Sequence, residues 1–389
     1  MSTVPGPGST PASSSVDPSV LVVRPLASGG LAAHVDQELA VLAAAGQPVQ
    51  ESRAGIGPRP HPVQDLRTLR LLRQEIARHR PRAVHAHGLR AGALAVLANL
   101  SRRRATAPRL VVTLHNRTLG SAMVRVIGAV LLCIVAHGAD TVLCVSPDLL
   151  DAARRAGARD ARHAVIPAPQ HPVPQESASQ DPASQDSVSQ HPVPEGSART
   201  GPRAAEDGAA PEALGDLDVL VLARLAPQKG LEHLLDAAAL LGDAPGVRVR
   251  IAGEGPLRPC LEARIRQERL PVQLLGHRSD VPQLLDSADL VVSAAVWEGQ
   301  PVALQEALRA GRAIVATDAG GTSWVTGTAA QLVPVGDAAA LADAIARHHD
   351  PAVRRRAQEA SVRRAAELPT ERDLTHQLLD VLAPGRTAR

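Results

Sequence analysis

The chain has no phenylalanine and no tyrosine in 389 residues, and tryptophan only at Trp297 and Trp324. Its cores must therefore pack from Leu, Val, Ala and a few Ile. Sequence-independent grip on a nucleic acid strand stacks bases on aromatic platforms in a basic groove. Those platforms are missing, and the net charge is only +3 with arginines scattered along helices, so no nucleic acid partner is expected. Lysine is scarcer still: Lys229 stands alone against 41 arginines. The three cysteines, Cys133, Cys144 and Cys260, show no metal spacing and cannot all pair, which suits reduced thiols in a cytoplasmic setting. Residues 1–17 lack a charged start and an apolar stretch, so no secretory signal is expected. The most apolar run, Ala122 to Ala136, contains Arg125 and is too short to span a bilayer. It reads as a buried helix, with a membrane-surface helix as the alternative.

The chain is long enough for two domains, each with its own core. Between 168 and 213 the sequence turns to Pro, Ser, Gln, Ala and acidic residues, with Gln170-His171-Pro172-Val173-Pro174 echoed at Gln190-His191-Pro192-Val193-Pro194. Such a segment buries little and reads as a disordered linker. The expected organisation is a disordered tail at 1–17, a first domain at 18–167, the linker at 168–213, a second domain at 214–368, and a closing helix and tail at 369–389.

Both halves alternate short apolar runs with helix-period stretches. Val20–Val23, Ala83–Ala86, Leu110–Leu114 and Thr141–Val145 suit buried strands in the first half. Asp218–Leu222, Arg248–Ala252, Val272–Leu275, Leu290–Ser293 and Ala313–Ala316 suit them in the second. Alternation of this kind predicts an α/β class with two parallel sheets built from right-handed crossovers. In such sheets ligands lie beyond the carboxyl ends of the strands, and the loops there carry the unusual residues.

The loop after the first strand holds Gly29-Gly30 before a helix. Paired glycines admit a ligand close to the backbone, and they also serve tight turns. In the second half, Arg224 follows a strand and Lys229 comes five residues later, so two cations converge outside the sheet edge. A compact ammonium at the one surviving lysine suits a phosphate oxygen. The densest segment is Trp297-Glu298-Gly299-Gln300-Pro301-Val302-Ala303-Leu304-Gln305-Glu306. Pro301 marks the first helical turn and leaves the amides of Val302 and Ala303 without helical partners, in a field that favours an anion. Two carboxylates beside an anion site make sense as acceptors for sugar hydroxyls flanking a diphosphate. Gly253-Glu254-Gly255-Pro256 lacks dinucleotide-fingerprint spacing. His85-Ala86-His87 and His348-His349 look like metal ligands, but no third ligand stands at a recognisable spacing. Asp216-Leu217-Asp218 reads as a loop leading into a strand rather than a metal-binding pair.

These stretches together resemble the donor domain of the family 4 glycosyltransferases, retaining enzymes of two facing Rossmann-like domains (the GT-B fold). The resemblance runs from about residue 217 to 347 and includes the two glutamates, Glu298 and Glu306, separated by seven residues. Ser28 to Val35 and Thr113-Leu114-His115 resemble the family's first domain more loosely. The resemblance implies that Arg224 and Lys229 hold the donor diphosphate, that Glu306 takes the ribose and Glu298 the transferred sugar, and that Val302 and Ala303 meet the phosphates. It further implies that Leu275 and Gly276 bring backbone to the base, that Gly29 and Gly30 close over the donor, and that His115 sits near the reacting sugar. The implied reaction is hexosyl transfer from a nucleotide diphosphate sugar to an unidentified acceptor, with no metal or other cofactor. An epimerase on the same fold and a non-catalytic nucleotide-sugar adaptor are the alternatives. Membrane contact is open, because many relatives act on lipid-linked acceptors. The chain departs from the family pattern at Ala168, where Ile166-Pro167 usually continues to Asn-Gly, at Gln300, and at Trp324 after the second Gly-Gly.

Overall fold

The computed structural model describes residues 20–26, 30–57, 61–100, 107–118, 120–168, 216–242 and 246–382. Most of the proposed linker and the proposed N-terminal tail fall outside them. The first domain runs β1 (Val20–Val23), α1 (Gly30–Ala44), β2 (Val49–Glu51), α2 (Pro62–His79), β3 (Ala83–His87), α3 (Leu89–Asn99), β4 (Arg109–Leu114), α4 (Ala122–Gly138), β5 (Thr141–Cys144), α5 (Pro147–Arg155) and β6 (Ala161–His163). Its sheet has the order β2-β1-β3-β4-β5-β6, every pairing parallel. The second domain runs β7 (Leu217–Leu222), α6 (Leu231–Leu241), β8 (Val247–Ala252), α7 (Arg258–Glu268), β9 (Val272–Gly276), α8 (Val281–Ser287), β10 (Leu290–Ser293), α9 (Val302–Arg309), β11 (Ala313–Thr317), α10 (Thr322–Thr326), β12 (Ala330–Val333), α11 (Ala338–Arg347) and α12 (Pro351–Ala365). Its sheet, also all parallel, has the order β12-β11-β10-β7-β8-β9.

The central strands match the apolar runs because they are covered on both faces: β1, β3 and β5 are buried at every position. Strands β2, β6 and β12 give no such signal. They are half-exposed edge strands, and β6 reads Ala-Arg-His. Local chemistry sets the helix ends. Asp337 and Asp350 cap α11 and α12 by accepting from Ala340 N (2.9 Å) and Ala352 N (2.8 Å), satisfying amides that the first turn leaves free.

One expectation about a helix changes. The Ala122–Ala136 run lies within α4, which is not a buried helix: only Gly128, Val135 and Ala136 are buried, while Met123, Val124, Val126, Ile127 and Val130 are exposed. Its apolar residues run nearly all round, but a helix on one face of a sheet covers only one side of itself. The closing helix is α13 (Glu371–Leu382). It returns to the first domain, where Leu374, Leu378, Val381 and Leu382 join the core. Arg109 Nε donates to Val381 O at 2.6 Å, and Gln377 bridges Val165 N (2.8 Å) and His163 O (2.7 Å).

Candidate functional site between the domains

The loops at the carboxyl ends of β7, β8 and β10 pack against one another through glycines. Gly230 has φ 59°, and a Cβ there would stand 1.9 Å from Ala294 O, so the turn Pro227–Lys229 lies flush on the loop after β10. Val296 N donates to Gln228 O at 2.9 Å. Gly253, at φ 151°, approaches Ala223 O equally closely. The consequence is that Lys229 Nζ reaches Glu298 Oε1 in an ion pair. Both side chains are mostly shielded, at 21% and 13% exposure. Three residues beyond Glu298, Pro301 caps α9 with no side-chain hydrogen bond to the first turn. The amides of Val302 and Ala303, four and five residues beyond Glu298, therefore have no side-chain cap. Arg224 is exposed one residue beyond Ala223, and its guanidinium makes no ion pair among the described residues. Glu306 lies one turn into α9 and is half-buried.

Leu275 and Gly276 end the edge strand β9. Gly276 O accepts from Gly253 N at 2.8 Å, which draws this backbone into the same loop cluster. From the first domain, Gly30 opens α1 with an exposed backbone and nothing within 4 Å of a Cβ position. Gly29 lies outside the described residues. His115 follows β4, and its carbonyl would be 3.6 Å from a Cβ at Gly299. Thus His115 and the Glu298–Gly299 segment meet across the two domains.

The three departures from the family pattern gather at this joint. Gln300 Nε2 contacts His163 Nε2 (2.9 Å) and donates to Ala164 O. Trp324 packs on the His163 ring with centroids 3.8 Å apart. Ala168 is buried: its N–H donates to Gln305 Oε1 at 3.0 Å and its carbonyl accepts from Arg309 at 2.7 Å. Gln305 Nε2 also donates to Ile166 O at 2.8 Å, so one buried amide side chain on α9 clamps the exit of the first domain. Trp297 extends into the first domain's core and donates from Nε1 to Asp148 at 3.0 Å. The sequence offered no signal for Gln305 or Trp297, since their partners lie more than a hundred residues away.

Sequence spacing also hid a buried cluster. His34 and Glu38 are one turn apart on α1, and His85 and His87 alternate on β3, so both pairs share a face. Glu38 Oε1 lies 2.8 Å from His34 Nε2, and Oε2 lies 3.2 Å from His85 Nδ1 and 3.1 Å from His87 Nε2. Burial alone would raise the Glu38 pKa, but the facing imidazoles of His85, His87 and His34 hold it well below the ordinary carboxylate range. Burial pushes His87 down to about 4 despite Glu38, and drives His115 well below the usual imidazole value. The missing third partner of His85-Ala86-His87 is therefore Glu38, supplied by the fold. His348, by contrast, is buried and held by Ala344 O at 2.8 Å. Leu217 and Asp218 lie within β7 rather than in a loop, and Asp218 pairs with Arg250 at 2.7 Å. Cys144 is buried, which pushes its thiol up to about 12 and removes it as a nucleophile.

Residues 216–350 match the family described as glycosyl transferases group 1, and residues 16–169 match the glycosyl transferase 4-like domain. Alpha-D-kanosaminyltransferase from Streptomyces kanamyceticus is 32% identical over 159 residues, 39% of this chain and 40% of that protein. The chain thus matches less than half the length of that relative. Sucrose-phosphate synthase from Thermosynechococcus elongatus aligns over 92% of this chain and 97% of its own, with TM-score 0.69 at 18% identity. Anabaena HepE, solved with UDP and glucose, aligns over 93% and 99% with TM-score 0.65 at 17% identity. These two likenesses are of fold. With both domains matched in order, each on its own parallel sheet, the chain belongs to the two-domain GT-B glycosyltransferases of the family 4 type.

Proposed function

We propose that this protein is a retaining glycosyltransferase that moves a hexosyl group from a nucleotide diphosphate sugar to an acceptor, with no metal ion at the diphosphate. The observation that carries the reading is the ion pair of Lys229 with Glu298, four residues before α9, whose start has no side-chain cap, with the His115 carbonyl of the other domain approaching Gly299. Lys229 and Arg224 supply the charge that a divalent ion would otherwise bring to the departing diphosphate. The amides of Val302 and Ala303 add fixed dipoles. Stabilisation of this kind is worth most when the donors are aimed before the reaction begins. Leu275 and Gly276 contact the base, Glu306 the ribose, and Glu298 the sugar. Gly29, Gly30 and His115 close the other side. Among the described residues no side chain here has the pairing of a nucleophile with a general base, and in this proposal the leaving phosphate itself takes the acceptor's proton.

A panel of nucleotide diphosphate sugars in a thermal-shift assay tests the donor. A ligand bound only by the native state at a hundred times its Kd adds about 2.7 kcal/mol, and one donor class is expected to raise Tm without added metal. Turnover on an acceptor then separates transfer from an adaptor, which would bind and not turn over. Exchange of a ring proton with solvent in the absence of acceptor would identify an epimerase instead.

The acceptor is proposed to be lipid-linked, with the protein touching the inner face of the membrane through α4. Support comes from the exposed row Met123, Val124, Val126, Ile127 and Val130 around the single Arg125. Each valine taken fully from water contributes roughly 1.5 kcal/mol or more. The wild-type chain is expected to sediment with vesicles containing anionic lipid, and the double variant Val126→Glu/Val130→Glu to remain in the supernatant. Equal sedimentation of the two would remove α4 from this role.

A further inference from the structure

We propose that Glu38, His85 and His87 form a binding site for one divalent transition-metal ion of the zinc class in the core of the first domain. The three ligand atoms, Glu38 Oε2, His85 Nδ1 and His87 Nε2, all lie within 4.8 Å of one another. The two imidazole nitrogens stand 3.2 and 3.1 Å from the same carboxylate oxygen. Zinc holds nitrogen and oxygen ligands at about 2.0–2.2 Å, so ligands arranged tetrahedrally sit roughly 3.3–3.6 Å apart. Opening these two separations by a few tenths of an ångström brings them into that range.

Hydrogen bonding does not account for these atoms. All three are buried from solvent, and none meets the geometry of a hydrogen bond. Buried polar atoms left without partners are rare and costly. Here the unpartnered atoms include each of the three that face a common point. The far side of every ligand, by contrast, is held. His85 Nε2 lies 2.8 Å from Thr113 Oγ1, His87 Nδ1 lies 3.1 Å from His115 Nε2, and Glu38 Oε1 lies 2.8 Å from His34 Nε2. With His85 donating outward to Thr113 and His87 outward to His115, the inward nitrogens present lone pairs. Two neutral imidazoles and a carboxylate then aim three lone pairs at one spot. A ligating imidazole fixed by its second nitrogen, and a ligating carboxylate fixed by its second oxygen, are the usual surroundings of a protein-bound metal. Nitrogen and oxygen donors without sulfur suit zinc and its borderline neighbours, and the two imidazoles argue against calcium or magnesium, which prefer oxygen. Three protein ligands leave a position for a small ligand such as water.

The ion would tie α1 to β3 and, through His87, fix the ring of His115. It lies on elements other than those bearing Lys229 and Glu298, so the site stands or falls independently of the donor reading.

The test uses the full chain, freed of any affinity tag, stripped with a chelator and titrated with cobalt(II) alone. A single equivalent is expected to give visible d–d bands of a low-symmetry nitrogen/oxygen site, bleached by one equivalent of zinc. Glu38→Gln is expected to abolish the bands. Thr113→Val, which keeps shape and removes only the outer partner of His85, is expected to weaken zinc affinity about ten- to a hundredfold. A folded wild-type chain that gives no bands, or bands unchanged in Thr113→Val and in a folded Glu38→Gln, overturns the site. Should Glu38→Gln fail to fold, the wild-type spectrum and the Thr113→Val affinity decide.

Discussion

Lys229→Ala is expected to lower kcat about a hundredfold to a thousandfold, the cost of removing one preorganised donor aimed at developing charge, about 2.7–4 kcal/mol. In the free protein Lys229 is paired with Glu298, so the ammonium is already held at the mouth of α9 before the donor arrives. Removing it does two things. The leaving diphosphate loses its compact cation, and Glu298, at 13% exposure, loses the counter-charge that makes its burial tolerable. Lys229→Arg is not expected to restore the rate. Arginine's broad planar fork does not reproduce the compact point charge that an ammonium brings to one phosphate oxygen. Glu298→Gln is the informative partner. It releases the ammonium to the phosphate while impairing the contact to the sugar, so nucleotide diphosphate binding measured by calorimetry should hold or improve while turnover falls. A Lys229→Ala protein with wild-type kcat would remove Lys229 from the chemistry.

The prominence of Lys229 was legible because composition and position agreed: the only lysine of the chain follows a buried strand in a turn shaped by Pro227 and Gly230. The central strands were legible for a related reason, since burial on both faces writes an unbroken apolar run. The half-exposed edge strands β2, β6 and β12 write no such run, and Ala161–His163 is invisible without its partner β5. Features made by long-range contact were hidden for the same reason. A histidine and a glutamate one turn apart on α1 are unremarkable, as are two histidines alternating on β3. Only the packing of α1 over β3 turns them into one cluster. The apolarity of α4 was visible, but which side of it meets the sheet was not, because periodicity fades when a helix is apolar nearly all round. The departures at Ala168, Gln300 and Trp324 were each visible singly. Their shared location at the joint between domains appears only in three dimensions, where His163 is touched by both Gln300 and Trp324. All three thus lie where the second domain meets the first.

Gln305→Leu tests that joint most directly and is expected to destabilise the protein by about 2–6 kcal/mol. Gln305 is fully buried, and its amide serves two backbone groups at once, accepting from Ala168 N and donating to Ile166 O. Leucine fills similar space and bonds neither. Each buried backbone group left unpaired costs about 1–3 kcal/mol, and a loss at the lower end already lowers Tm by about 4 °C or more for a domain of this size. Gln300→Ala provides the contrast. Its bond to Ala164 O lies at a half-exposed position where water can substitute, so a change under about 1 kcal/mol is expected. The catalytic consequence follows from the helix that carries the residue. Gln305 and Arg309 anchor α9 to Ala168, and the same helix presents Val302, Ala303 and Glu306. With the anchor gone, α9 loses its fixed relation to the first domain, and KM for the donor should rise together with the fall in Tm. Gln305→Glu should do worse than leucine, because a carboxylate can accept from Ala168 N but stands against Ile166 O with nothing to donate. Wild-type Tm and donor KM in Gln305→Leu would show that the clamp seen between α9 and the first domain carries no weight in holding the cleft together.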